Sequence, residues 1–183
     1  FATSDEELQQ ILELQFANLS QNVSEQERLE QGFLSVQHTL EELREISGRY
    51  NHIIVKDGGR VVGFALVMLP EYRDSVETLR PMFDMIDEIH FQGRALREYN
   101  YFVMGQICID KPYRGKGLFK GLYYKLKSEF DRSYSLLITE VATKNFRSTA
   151  AHRQVGFRSL KKYTAPDGIE WDIVYWDWKE PEI

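Results

Sequence analysis

The residues best placed to do chemistry lie in Ile107-Cys108-Ile109-Asp110-Lys111-Pro112-Tyr113-Arg114-Gly115-Lys116-Gly117-Leu118-Phe119-Lys120-Gly121. A β-rich run ends there in glycines and cations, and Leu118, Leu122 and Leu126 then recur at helical spacing. Strand, glycine loop and helix together make an anion site. Gly115 and Gly117 let the backbone approach a ligand, and the first amides of a helix lack intrahelical acceptors and carry the positive end of its dipole. Lys111, Arg114, Lys116 and Lys120 form a basic island on a chain of net charge −5, which points to a phosphate-bearing ligand. The spelling is not that of a P-loop, because Leu118 and Phe119 follow Gly117 where that motif needs Lys and a hydroxyl. It also lacks the third glycine of the dinucleotide fingerprint, Gly121 falling one position late. A glycine turn with solvated lysines has the same spelling, so the loop alone leaves the ligand open.

The elements that must position this loop follow from periodicity. Ser4 with Glu7 and Ser24 with Glu27 are capping boxes, the first opening a helix over 5–19 and the second a short polar one. A third helix spans 39–46 and stops at Gly48. Strands are predicted over 52–56 and 60–69, joined by Asp57-Gly58-Gly59. A long connection follows, helical over 82–89, where Met82, Met85, Ile86 and Ile89 share a face. Next come a strand over 101–110, a helix over 117–130, a strand over 135–141 and a helix over 145–155. Two final strands, 157–163 and 169–178, flank the Ala165-Pro166-Asp167-Gly168 turn. The expectation is one α/β domain over 1–183.

Composition narrows the function. Acidic residues number 28 against 23 basic, which argues against nucleic acid as a partner. The lone Cys108 permits no intramolecular disulfide, and four scattered histidines suggest no metal site, so a reducing, cytoplasmic location is expected. The apolar run Val61–Leu69 is too short to span a membrane, and the acidic amino end lacks the pattern of a signal peptide.

With both stretches in view, the chain resembles the GNAT superfamily of acyl-CoA-dependent N-acyltransferases. Its central motif, Arg/Gln-x-x-Gly-x-Gly/Ala, is met by Arg114 and Gly117, with Phe119 departing at the last position. The second motif, Asn-x-x-Ala-x-x-x-Tyr-x-x-x-Gly-Phe, is matched in spacing by Asn145, Ser148, His152, Gly156 and Phe157. The resemblance covers about 51–163 and implies a mixed, mostly antiparallel central sheet flanked by helices. It implies acetyl-CoA as acyl donor, with no metal, and direct transfer of the acetyl group to a primary amine of a small molecule, peptide or protein. Backbone groups of Ile107, Cys108 and Ile109 would then hold the pantetheine arm and acyl carbonyl. The amides of Arg114, Gly115, Lys116, Gly117, Leu118 and Phe119 would hold the pyrophosphate, and Asn145 would contact pantetheine or position its helix.

Transfer to an amine requires a neutral nucleophile, stabilisation of negative charge on the acyl oxygen and a proton for the departing thiolate. His152 stands where the family usually has tyrosine, either as general acid or as a polar residue packed beside the cofactor. Glu140 and Glu98 are candidate bases, Glu140 alternatively positioning water. Cys108 reads as a packing residue rather than a nucleophile. Asp84, Asp87 and Glu88 would attract a cationic amine, with Met82, Phe83 and Met85 as an apolar wall, or form only the solvated face of a helix. A non-catalytic acyl-CoA sensor or interaction module is the alternative function, and a nucleotide-binding domain a third. One alternate set of the aromatics Trp171, Tyr175, Trp176 and Trp178 is expected to pair two subunits as a homodimer by extending the sheet.

Overall fold

The hairpin written into Asp57-Gly58-Gly59 forms as expected: β1 (Ile53–Asp57) and β2 (Arg60–Met68) pair antiparallel, with Gly58 at φ 58° in the turn. In the computed structural model, which describes residues 1–48 and 50–179, this hairpin is one side of a six-stranded sheet. Its other long strands are β5 (Tyr101–Ile109), β6 (Leu136–Ala142), β7 (Arg158–Thr164) and β8 (Glu170–Asp177). The order is β1-β2-β5-β6-β8-β7, and every pair is antiparallel except β5 with β6. The sheet is therefore mixed and mostly antiparallel.

Alternation along the central strands sorts their side chains onto two faces. Phe64, Leu66 and Met68 of β2 pack toward α1 (Asp5–Asn18), α3 (Leu40–Ser47) and α4 (Arg80–Glu88). Ala65 and Val67 join the opposite layer, with α5 (Leu118–Phe130) and α6 (Phe146–Val155). The capping box expected at Ser24 forms and opens α2 (Glu25–Gln31), and Thr39 makes a further one at α3; at Ser4 only half of the expected box forms, Ser4 Oγ accepting from the Glu7 N–H while the Glu7 carboxylate accepts from the Thr3 N–H instead. Trp176 and Trp178 are buried, and Tyr175 packs edge-on against Phe91. These aromatics belong to the interior, and β8 lies between β6 and β7, so it offers no free edge for the expected pairing of subunits. The outermost strand on that side is β7, whose Arg158, Lys161 and Lys162 are the charges that blunt an edge.

The long connection between β2 and β5 is more structured than its sequence suggests. It holds short 3-10 turns, α4 and a two-stranded hairpin of β3 (His90–Phe91) and β4 (Arg94–Ala95). Pro81 sits in the first turn of α4, where its missing N–H costs nothing, so the helix starts before the predicted Met82.

Candidate active site

The parallel pair β5/β6 runs together only over Tyr101–Val103 and Leu136–Ile138. Beyond it the strands part, and the Thr139 hydroxyl donates to the Met104 carbonyl at 2.8 Å in the crotch of the fork. The backbone groups that face the opening follow from the ladder on the other side. The Asp110 N–H donates to the Val62 carbonyl at 2.9 Å, and Cys108 stands opposite Phe64. Because bonded and non-bonded pairs alternate, Cys108 spends its peptide groups on β2, whereas Ile107 and Ile109 turn theirs to the fork. The Ile109 carbonyl confirms this direction by accepting from Arg114 Nε at 2.9 Å.

A cleft of about 570 Å³ opens from the fork between α5 and α6, lined by Ile107, Gly115, Gly117, Lys120, Asn145 and Arg147 among others. Gly115 and Gly117 adopt φ 74° and 79°, and a Cβ built on either would meet nothing within 4 Å. Gly117 precedes α5 and has no side chain to cap it, so the first-turn amides of that helix face the cleft without an intrahelical acceptor. An open, amide-lined cradle at a helix start fits a pyrophosphate. The cations divide differently from the sequence expectation. The Arg114 guanidinium turns inward, donating to the Ile109 and Gln31 carbonyls and to Asn18 Oδ1, and Lys111 pairs with Glu27. Both hold α2 and α1 against the loop, and Arg114 still lines the cleft beside Lys120 and the unforeseen Arg147. The Phe119 ring packs edge-on at 5.2 Å against both Tyr123 and His152, so its bulk is taken up at the α5/α6 interface at the wall of the cleft, which it also lines.

A second cleft, about 360 Å³, leads from the same fork between the β7–β8 turn and the start of α4. Five residues line both clefts: Phe33, Leu34, Ile107, Asn145 and Ser148. Phe33 and Leu34 lie on a strap after α2, which bridges Leu19 and is held by Asn145 Nδ2 donating to the Phe33 carbonyl at 3.2 Å. Asn145 Oδ1 meanwhile caps α6 through the Ser148 N–H. Gln106, buried in β5, donates to the Val36 carbonyl and accepts from Gln15, tying α1, β5 and the strap together.

Glu140 lines the second cleft. Burial pushes its carboxyl up to about 7, against the opposing effect of Tyr163, whose hydroxyl donates to Oε2 at 2.6 Å. Glu98 lies outside both clefts. Asp84 and Asp87 are ion-paired with Arg73, and Glu88 with Lys161. None of the three lines the second cleft, so they are not its source of negative charge; Asp167, at the β7–β8 turn, joins Glu140 instead. Of the expected apolar wall Met82 lines the cleft, while Phe83 is wholly buried in the core beneath it.

His152 is buried, and burial lowers its imidazole to about 4. Nδ1 lies 2.7 Å from the Ser148 carbonyl and must donate to it, so Nε2 carries the lone pair that accepts from the Tyr123 hydroxyl at 2.6 Å. Both ring nitrogens are thus engaged by the protein. This neutral, doubly hydrogen-bonded ring also lines the second cleft. Cys108 is buried and its thiol is pushed up to about 12 by burial, which favours the protonated form.

The sequence model of the acetyltransferase (GNAT) family matches residues 8–157. The chain belongs to the GNAT acetyltransferase family. Among curated proteins no significant sequence match is found. Solved structures of similar fold include the ribosomal-protein-S18-alanine N-acetyltransferase of Escherichia coli, at 14% identity and TM-score 0.62, covering 100% of this chain and 94% of that one. Another is the ribosomal-protein-alanine N-acetyltransferase of Brucella melitensis, at 18% identity and TM-score 0.60, covering 97% and 98%. A putative acetyltransferase from Salmonella typhimurium, solved with its cofactor acetyl-CoA, aligns at 15% identity and TM-score 0.60 over 99% and 94%. Among the described residues of this GNAT chain no helix is long and apolar enough to cross a membrane, and no group of His, Cys, Asp and Glu is placed to hold a metal.

Proposed function

We propose that this GNAT protein transfers the acetyl group of acetyl-CoA directly to a primary amine, the donor lying in the α5/α6 cleft and the acceptor in the cleft of Glu140. The observation that carries the proposal is the shared wall: Ile107 and Ser148 border both clefts at the fork, so a donor and an acceptor would meet there. A cytoplasmic setting is part of the same proposal and rests on the lone thiol, which permits no intramolecular disulfide.

Acetyl-CoA supplies a thioester as the activated acyl group. The amides at the start of α5, with Lys120 and Arg147, bind its phosphates. The Ile107 N–H faces the fork and stabilises charge developing on the acyl oxygen. Glu140, with a carboxyl near neutrality, takes the proton of the incoming ammonium and leaves the amine neutral. His152 holds Tyr123 and the α6 backbone at Ser148 in register and keeps its own proton on Nδ1. The thiolate needs no strong acid to depart, being far less basic than the amine, and takes its proton from solvent.

Thiol release from acetyl-CoA over a panel of primary amines tests the reading. Glu140→Gln should lower kcat by about 10²-fold or more while acetyl-CoA binding is retained. Full activity in Glu140→Gln would remove the base. Tight acetyl-CoA binding with no thiol released by any amine would favour the sensor reading, which the engaged His152 makes the natural second choice.

A further inference from the structure

The amine-side cleft is unusual in its balance of charge. Its lining side chains that carry charge are Glu140 and Asp167, both acidic, and no lysine or arginine borders it among the described residues. Most of the remaining wall is apolar, with Leu79, Pro81 and Met82 from the β2–β5 insertion and Trp171 of β8 among its lining residues. Resting on the acetyl-transfer reading, we propose that the acceptor is a primary amine borne on an apolar, typically aromatic, body with no carboxylate on the adjoining carbon. Free α-amino acids are excluded, whereas aralkylamines and the amino ends of peptides with an apolar first residue share the permitted chemistry.

The exclusion follows from geometry. An amine nitrogen at the fork must come within proton-transfer reach of Glu140, and an α-carboxylate sits only two bonds from that nitrogen. It therefore cannot extend to solvent while the amine is bound, and would lie close to the Glu140 carboxylate with no cation to compensate it. Repulsion between two carboxylates about 6 Å apart, at an effective dielectric of about 20, corresponds to about a 100-fold loss of binding. The apolar wall acts in the opposite sense on the rest of the molecule, since a ring laid between Trp171 and the insertion is removed from water. A second cation on the acceptor has Asp167 to pair with, but an aliphatic diamine leaves the apolar wall beside Trp171 unfilled. Selectivity is thus divided between the acids, which reject an α-carboxylate, and the insertion, which favours an apolar body.

Matched acceptors test this on the intact protein: phenethylamine, phenylalaninamide, a tripeptide beginning with Phe, phenylalanine itself and 1,4-diaminobutane. Phenethylamine and phenylalaninamide should be acetylated with similar kcat/KM, and phenylalanine about 100-fold less well, since the amide differs from it only in the missing charge. Pro81→Lys places a cation on the wall at a half-buried position and should reduce the amide-to-acid ratio by about 10-fold or more. The peptide arm separates the sources: turnover equal to that of phenethylamine assigns the cleft to chain termini, and its failure assigns it to free amines. Phenylalanine used as well as its amide, or diaminobutane preferred to phenethylamine, overturns the proposal. Calorimetry of each amine against the protein saturated with CoA gives a second readout independent of chemistry. The same order of binding without turnover upholds this selectivity while sinking the catalytic reading, and binding of phenylalanine equal to its amide refutes the selectivity alone.

Discussion

Tyr163→Phe isolates the group that tunes the base. The hydroxyl donates to Glu140 Oε2 at 2.6 Å, and the substitution removes it while keeping the ring that packs against the core. A hydrogen bond to a charged acceptor contributes about 1.5–3 kcal/mol, and one pKa unit is about 1.36 kcal/mol, so losing it should raise the carboxyl by about 1–2 units. Glu140 starts at about 7 in the native protein. The acidic limb of kcat, recorded at saturating amine so that it reports the bound complex, should therefore move up to about 8–9. At pH 7 kcat should fall by about 5- to 50-fold, and most of that loss should be recovered at about pH 9.5. A limb that stays where it is in the wild type, or a loss equal at every pH, would refute the argument that Tyr163 acts through the charge of Glu140.

The remaining predictions concern buried groups. His38, His52 and His152 each accept a hydrogen bond at one ring nitrogen, from Gln15, the Val67 N–H and Tyr123, and burial lowers all three from 6.5 to about 4. Their folded values lie below the unfolded ones, so the stability they contribute is present above pH 6.5 and lost as pH falls toward 4; Glu140, raised from 4.5 to about 7, opposes one of the three over its own range. Urea melts should show stability falling by about 2–3 kcal/mol per pH unit between pH 6 and 5, and a flat profile there would contradict the neutral buried rings. Cys108→Ala should leave kcat within about 2-fold, because the thiol is buried and protonated, and a loss of about 100-fold would restore a covalent role.

Much of the fold was legible because its signals are local. Ser24 with Glu27 and the Asp57-Gly58-Gly59 turn each specify a structure within four residues, and both form. The glycine turn that opens α5 was legible for the same reason, since Gly115, Gly117 and the start of the helix are contiguous. The β3–β4 hairpin was not, because Gln92 takes φ 49° in its turn and a glutamine there carries none of the usual Asn-Gly signal. The spacing of Asn145 and His152 marked their place on α6, but their partners Phe33 and Tyr123 lie 112 and 29 residues away, and only those partners define the bonds they make. Arg114 shows the limit most plainly: a cation in a glycine loop reads as a phosphate ligand, yet its guanidinium satisfies carbonyls at Ile109 and Gln31. Tyr163 and Asp167 were missed as site residues because the β7–β8 hairpin reaches Glu140 only through the antiparallel register of β8 on β6.

The proposed transfer depends on an acyl-CoA held at the fork by the glycine turn before α5. Isothermal titration of the wild type with acetyl-CoA, CoA, ATP and NAD, repeated on Ala151→Trp, tests it most directly. Ala151 lines the cleft from within α6, where a tryptophan is compatible with the helix and would occupy the space between α5 and α6. Acetyl-CoA and CoA should bind in preference to ATP and NAD, and that binding should be lost in a variant whose melting temperature is kept. Absence of acetyl-CoA binding by folded wild type, or equal binding by the blocked variant, would contradict it.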